Sequence, residues 1–230
     1  MSELNISYFI EDILEERDIH KYGSAEYHTK NLIKACILED LKSSWVEKVA
    51  YFNAKDIENI PYGFSKINTI PNIPMYEDKR SILEYNGGNT RQIIPYCLVR
   101  YENEYYFVLR EDNGDDRLNG NIGLLGGHTD SKIEDGMYRE LEEEANINRN
   151  NIKNISLVGI IKDSGTGEKY DVSIDHIGLV YIIELKQKRT IRMFEQGIQT
   201  GILVSLSDFS KYEDRFEPWL KLIVGVLFSN

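Results

Sequence analysis

Two stripes of opposite character run along residues 133–145, and together they fix what this segment can become. Met137, Leu141 and Ala145 recur at the spacing of one helical face. Glu140, Glu143 and Glu144 stand at i, i+3 and i+4, which sets three carboxylates side by side on another face. A helix of this kind packs by its apolar stripe and turns its acids toward a cleft or toward water. Like charges at this spacing cost roughly a few tenths of a kcal/mol per exposed pair. A hard divalent cation, which takes oxygen ligands, would convert that repulsion into coordination. A solvated acidic face is the alternative that the three acids alone leave open.

Local signals bound the helix. Ser131, with Glu134 three residues on, forms a capping-box pattern and predicts a start just after Ser131. Asn146 occupies the position where a left-handed residue would close the helix. Gly126 and Gly127 upstream allow a sharp turn and a close approach of backbone to a ligand. A loop feeding a helix N-terminus also suits phosphate. A tight turn or bulge would use the same two glycines without any ligand.

A formal charge of −11 argues against nucleic acid or an anionic membrane as the main partner. With 41% hydrophobic and 28% charged residues, the chain has the balance of a globular protein that builds its core without disulfides. Cys36 and Cys97 are isolated, so neither a zinc site nor a disulfide framework is implied, and buried free thiols are expected. The N-terminal residues have no basic segment followed by an apolar core, and no apolar run is long enough to span a bilayer. The expected location is cytoplasmic.

In chain order, Ile6, Phe9, Ile10, Ile13 and Leu14 share one helical face. A second helix is expected over 29–50, with Leu32, Ile33, Cys36, Ile37, Leu41, Trp45 and Val49 on its apolar side. This pair carries no chemical motif and reads as a packing extension or a dimer surface. Pro61, Gly63, Pro71 and Pro74 then favour extended or turn conformations. Asn86-Gly87-Gly88-Asn89 reads as a loop. The boundary falls there, giving a helical extension with its connector over 1–88 and a second domain over 89–230, although strands hidden in 57–85 could join the later sheet. Strands are expected over 92–101, 105–110, 155–161, 177–185 and 202–206, a loop over 111–123, and a closing helix over 218–228. Pro95 marks its strand as an edge or a strand start. Such alternation gives an α/β protein with a mixed sheet covered on both faces.

The run Arg139-Glu140-Leu141-Glu142-Glu143-Glu144-Ala145-Asn146-Ile147 resembles the second half of the signature box of the Nudix hydrolases, with Asn146 where the family has glycine. The first half departs. The segment from Gly127 to Arg139 is shorter than the family's, and Ser131 stands at the first box glutamate. With Gln92 to Tyr96, Arg117 to Gly120 and Gly126-Gly127-His128, residues 90–230 are similar to an atypical bacterial branch of predicted phosphoesterases.

The resemblance implies an α/β/α sandwich and a magnesium or manganese cofactor held by Glu140, Glu143 and Glu144. It assigns catalysis to Glu143 and Glu144 with Arg139, the arginine orienting a box glutamate or the neighbouring loop. Gly126, Gly127, His128, Arg110 and Arg117 are the candidates for substrate contact. Ordinary alternatives are a local hydrogen bond for His128 and surface pairing of the arginines with Asp112, Asp115 or Asp116. His176, at a strand edge, is expected to be structural, and Glu142 solvated. Family members often add an acid from a later loop. Asp163, Glu168, Asp171 and Asp175 are available here, and spacing does not choose among them. Asp130 could supply the carboxylate that Ser131 lacks.

The expected function is metal-dependent hydrolysis of a phosphoanhydride in a nucleoside diphosphate linked to another moiety. The shortened box and Ser131 also allow a module that binds a nucleotide or sugar diphosphate as a sensor without turnover. The expected partner is a small-molecule diphosphate, and a homodimer is possible because Nudix proteins often form one.

Overall fold

A computed structural model describes residues 47–83, 88–110, 120–165, 172–188 and 199–228. The helix expected at 6–16 and nearly all of the one expected at 29–50 lie outside these residues, as do Arg117, Glu168 and Asp171. Contacts divide the chain into two compact units, Met1–Glu47 and Lys48–Asn230, and all the elements below belong to the second.

That unit is built around the strand β4 (Thr90–Tyr101). From Ile93 to Val99 its residues are apolar on both faces, the pattern of a strand covered from two sides. Ile93, Cys97 and Val99 enter one core cluster, and Tyr96 and Leu98 enter the other. The strand β9 (His176–Leu185) runs parallel to it and divides the same way: Ile177, Leu179, Tyr181, Ile183 and Leu185 on the first side, Val180 on the second.

The remaining strands are β1 (Lys48–Asn53), β2 (Gly63–Lys66), β3 (Tyr76–Lys79), β5 (Glu104–Arg110), β6 (Ile122–Gly123), β7 (Leu125–Gly126), β8 (Ile152–Lys162) and β10 (Gln199–Ser205). Among the described residues they make one ten-stranded mixed sheet with the path β10-β5-β4-β9-β8-β2; β1, β3, β6 and β7 attach off this path. Among the described residues the α-helices are a single turn, α1 (Arg80–Leu83), then α2 (Ile133–Ala145) and α3 (Pro218–Leu227). Met137 and Leu141 of α2 lie in the first core cluster, and Leu220 and Ile223 of α3 lie in the second. The two helices therefore cover opposite faces, the expected sandwich.

Several expectations need correction. Residues 48–50, expected to end a helix, begin β1, where Val49 and Ala50 are buried and pairing with β3 and β4 overrides helical spacing. The strands β2 and β3 fall within 57–85, where the sequence allows strands joining the later sheet, and β1 also precedes residue 88. Pro95 is not at an edge. It lies inside β4, where pairing passes from β1, ending at Gln92, to β7, starting at Tyr96. A residue without an N–H is tolerated at that break.

Candidate functional site

The acidic helix forms over the expected span, and Asn146 closes it in the left-handed conformation (φ 52°, ψ 38°) with its N–H bonded to the carbonyls of Glu142 and Leu141. Its start differs. Lys132 is the N-cap residue and makes no side-chain cap, so the Ser131–Glu134 capping box does not form. Asp130 closes the turn instead, accepting from the Lys132 N–H at 2.8 Å. Ser131 is exposed, and its N–H donates to Glu77 Oε2 at 3.2 Å. The bond from the Ser131 backbone lowers the carboxyl pKa of Glu77.

Gly126 and Gly127 meet this helix closely. Glu144 is a buried carboxylate, and its Oε2 accepts from the Gly126 N–H at 3.1 Å. A Cβ on Gly127 would stand 2.5 Å from Glu140 Cδ, so the Glu140 carboxylate rests on bare backbone. Gly126 itself has φ +152°, and a Cβ there would run into the Pro95 carbonyl of β4. Gly136 has the same use one turn into the helix, where Thr129 fills the space a side chain would need.

Arg139 does not stand apart from the acids, although its Cα lies around the helix from them. Its Nη1 donates to Glu143 Oε2 at 2.8 Å, and its Nη2 donates to Glu140 Oε1 at 2.7 Å and to the His128 carbonyl at 2.8 Å. One guanidinium therefore joins two glutamates to the loop, as a planar fork allows and an ammonium would not. Glu140 and Glu143 differ in setting, with side chains 14% and 60% exposed. The Cys97 thiol lies on the core side of this group; burial, then Glu144 and Glu140, push its pKa far up. Among the described residues, no three His, Cys, Asp or Glu side chains are already arranged to hold a metal ion.

His128 Nε2 lies 3.2 Å from His176 Nε2, so one ring donates to the other. Burial holds the His128 pKa well below the ordinary value, and Arg80, His176 and Arg139 add to that. The imidazole is neutral at pH 7.

The two later acids that are described are engaged elsewhere. Asp163 accepts from Trp219 Nε1 at 2.9 Å and from the Gly165 N–H at 3.0 Å. Asp175 is buried and accepts from the Gly88 N–H at 2.7 Å. Of Arg110 only the backbone is described, at the end of β5.

Sequence reasoning missed Tyr96 and Glu217, which meet behind the glycine loop. The Tyr96 hydroxyl donates to Glu217 Oε2 at 2.9 Å and accepts from the Leu124 N–H at 3.3 Å. A glutamate just ahead of Pro218 marks a helix start, but nothing local ties it to a tyrosine 121 positions earlier.

No protein-family model matches the sequence, and no curated protein matches it. Solved structures do. Tm1382, a protein ascribed to the Nudix hydrolases, is 20% identical and aligns over 79% of this chain and 98% of its own, with a TM-score of 0.64. DR0079 from Deinococcus radiodurans is 12% identical over 80% of this chain and 100% of its own, with a TM-score of 0.52. Likeness on this scale, together with a sheet sandwiched between α2 and α3, gives this chain the fold of the Nudix hydrolases.

Proposed function

We propose that this protein is a metal-dependent Nudix hydrolase that cleaves a phosphoanhydride in a nucleoside diphosphate linked to another moiety. The observation that carries the reading is the meeting of Glu140 and Glu144 at the Gly126–Gly127 backbone. Two carboxylates brought from one helix to one bare loop give a donor set made only of oxygen, which fits magnesium or manganese. A ready three-ligand cage is not required, because magnesium is commonly held by one or two carboxylates together with water and the substrate's own phosphates. Glu140 and Glu144 would hold the ion, and Glu143 would join them from the rim. A bound dication supplies charge neutralisation on the diphosphate and an acidified water.

The chain's own groups account for the rest. Arg139 keeps Glu140 and Glu143 aimed from a fixed point on the loop. The bare backbone at Gly127 lets the Glu140 carboxylate lie directly against the loop. In the tautomer in which its Nε2 accepts from His176, neutral His128 has its Nδ1–H to offer to a phosphate oxygen without adding charge.

A second reading has one specific observation behind it. Ser131 brings no carboxylate to the first box position and faces Glu77 across the surface. Such a site could bind a diphosphate without hydrolysing it. Turnover on a panel of nucleoside diphosphate derivatives with magnesium or manganese, alongside calorimetric binding, separates the two. Hydrolysis that disappears in Glu144→Gln, with the fold retained, supports the enzyme. Binding without turnover across the panel supports the sensor, and full activity in Glu144→Gln removes this face from the chemistry.

A further inference from the structure

The short segment Ile122–Gly126, which carries β6 and β7, is held from both sides of the sheet. On the side of α2, Glu144 accepts from the Gly126 N–H. On the side of α3 the holder is Glu217, the residue just before that helix. Its backbone N–H donates to the Ile122 carbonyl at 2.9 Å, and its Oε2 accepts from Tyr96, whose hydroxyl in turn accepts from the Leu124 N–H. A Cβ on Gly123 would run into the Glu217 carboxylate, so that carboxylate lies directly on the segment's backbone. Tyr96 is also the residue of β4 that pairs with Gly126. The same tyrosine thus fixes the segment by its backbone at one end and by its hydroxyl two residues earlier.

We infer that Glu217, acting through Tyr96, is a positioning residue for the Glu144 carboxylate. Its described contacts toward the segment are with Tyr96 and with the Ile122–Gly123 backbone. Its effect is to fix Ile122–Gly126 against β4, which fixes the Gly126 N–H, which sets where Glu144 points. Glu217 is buried, and a carboxylate is kept in such a place only with its hydrogen bonds satisfied. Removing the acceptor would free the Tyr96 hydroxyl to turn and release Leu124, so the disturbance runs toward Gly126 rather than staying at α3. The functional consequence rests on the reading of Glu144 as a metal ligand, whereas the mechanical consequence does not.

Two readouts therefore test it. Exchange of the Gly126 amide with deuterium, followed by NMR in the metal-free protein, reports the segment's fixation alone. Manganese affinity, measured by calorimetry without substrate, reports the carboxylate. In Glu217→Met, Gly126 exchange should speed up about tenfold, the consequence of losing one hydrogen bond of ordinary net strength. Manganese should bind roughly 10- to 100-fold more weakly, as when an outer partner of a metal ligand is removed. Glu217→Gln, which keeps an acceptor, should restore most of both. Tyr96→Phe should behave like Glu217→Met, and it decides the matter if the methionine variant does not fold. Wild-type Gly126 exchange in a folded Glu217→Met or Tyr96→Phe protein overturns the inference. Faster exchange in a protein whose wild type binds no manganese would leave the positioning intact and sink the metal assignment instead.

Discussion

Replacing Gly127 with alanine should separate the site from the fold. A Cβ there would stand 2.5 Å from Glu140 Cδ and 2.6 Å from both its oxygens. Non-bonded carbons need about 3.5 Å, so the carboxylate must retreat by roughly 1 Å. It is the far end of a flexible side chain, so the retreat is cheap in itself, but it opens the 2.7 Å contact with Arg139. The Gly127 backbone lies outside the left-handed region, so alanine fits it, and the stiffer unfolded chain returns about 0.4–1 kcal/mol. The unfolding free energy should therefore stay within about 1 kcal/mol of wild type in a urea titration. Metal-dependent turnover should fall roughly 10²-fold, the usual consequence of misplacing a catalytic group by that distance. Gly126→Ala provides the contrast. With φ at +152° and the Pro95 carbonyl in the way, it should destabilise by about 1–3 kcal/mol or more, and lost activity would then say nothing about Glu140. Wild-type turnover in a stable Gly127→Ala protein would refute the claim that Glu140 must rest on the loop.

Other consequences follow from single groups. Because the folded protein holds the His128 pKa below the unfolded value of 6.5, the stability that comes from keeping it neutral is complete above that pH and is lost as pH falls below it. Urea titrations from pH 7 to pH 5 should show a decline of up to about 1.4 kcal/mol per pH unit from this residue, and His128→Asn should flatten it. Lys162, buried at the end of β8, donates to the carbonyls of Ile57 and Ile60 at 2.9 and 3.1 Å, so Lys162→Met should lower the unfolding free energy by about 1–3 kcal/mol. An unchanged urea midpoint would contradict that. Cys97, buried with its thiol pKa pushed far up, should resist iodoacetamide at pH 8 in the folded protein and react once urea unfolds it, as mass spectrometry can follow.

The acidic helix was legible because its two stripes and its closing Asn146 are local signals, and local signals survive folding. The central strands were legible for a related reason: β4 and β9 are apolar on both faces, which a sequence displays openly. The early strands were not. Lys48–Asn53 continues a helical spacing, and only pairing with β3 and β4 makes it a strand. The two-residue strands β6 and β7 are too short to carry any period. The placement of Glu140 and Glu144 on one helical face was readable from spacing, whereas their contacts with Gly126 and Gly127 come from the fold. The contact between Arg139 and both glutamates was not readable, because a long side chain can reach back across its own helix in ways that Cα positions do not fix. Ser131 matched a capping pattern, but Asp130 took the turn one residue earlier. Tyr96 and Glu217 are joined only by the folding of the sheet.

Crystals soaked in manganese and measured at its absorption edge would test the central claim most directly. An anomalous peak beside the Gly126–Gly127 backbone, within ligand distance of Glu140 and Glu144, is the predicted result. No peak there, with Arg139 still bonded to Glu140 and Glu143 and Glu144 still turned to the Gly126 amide, would contradict it.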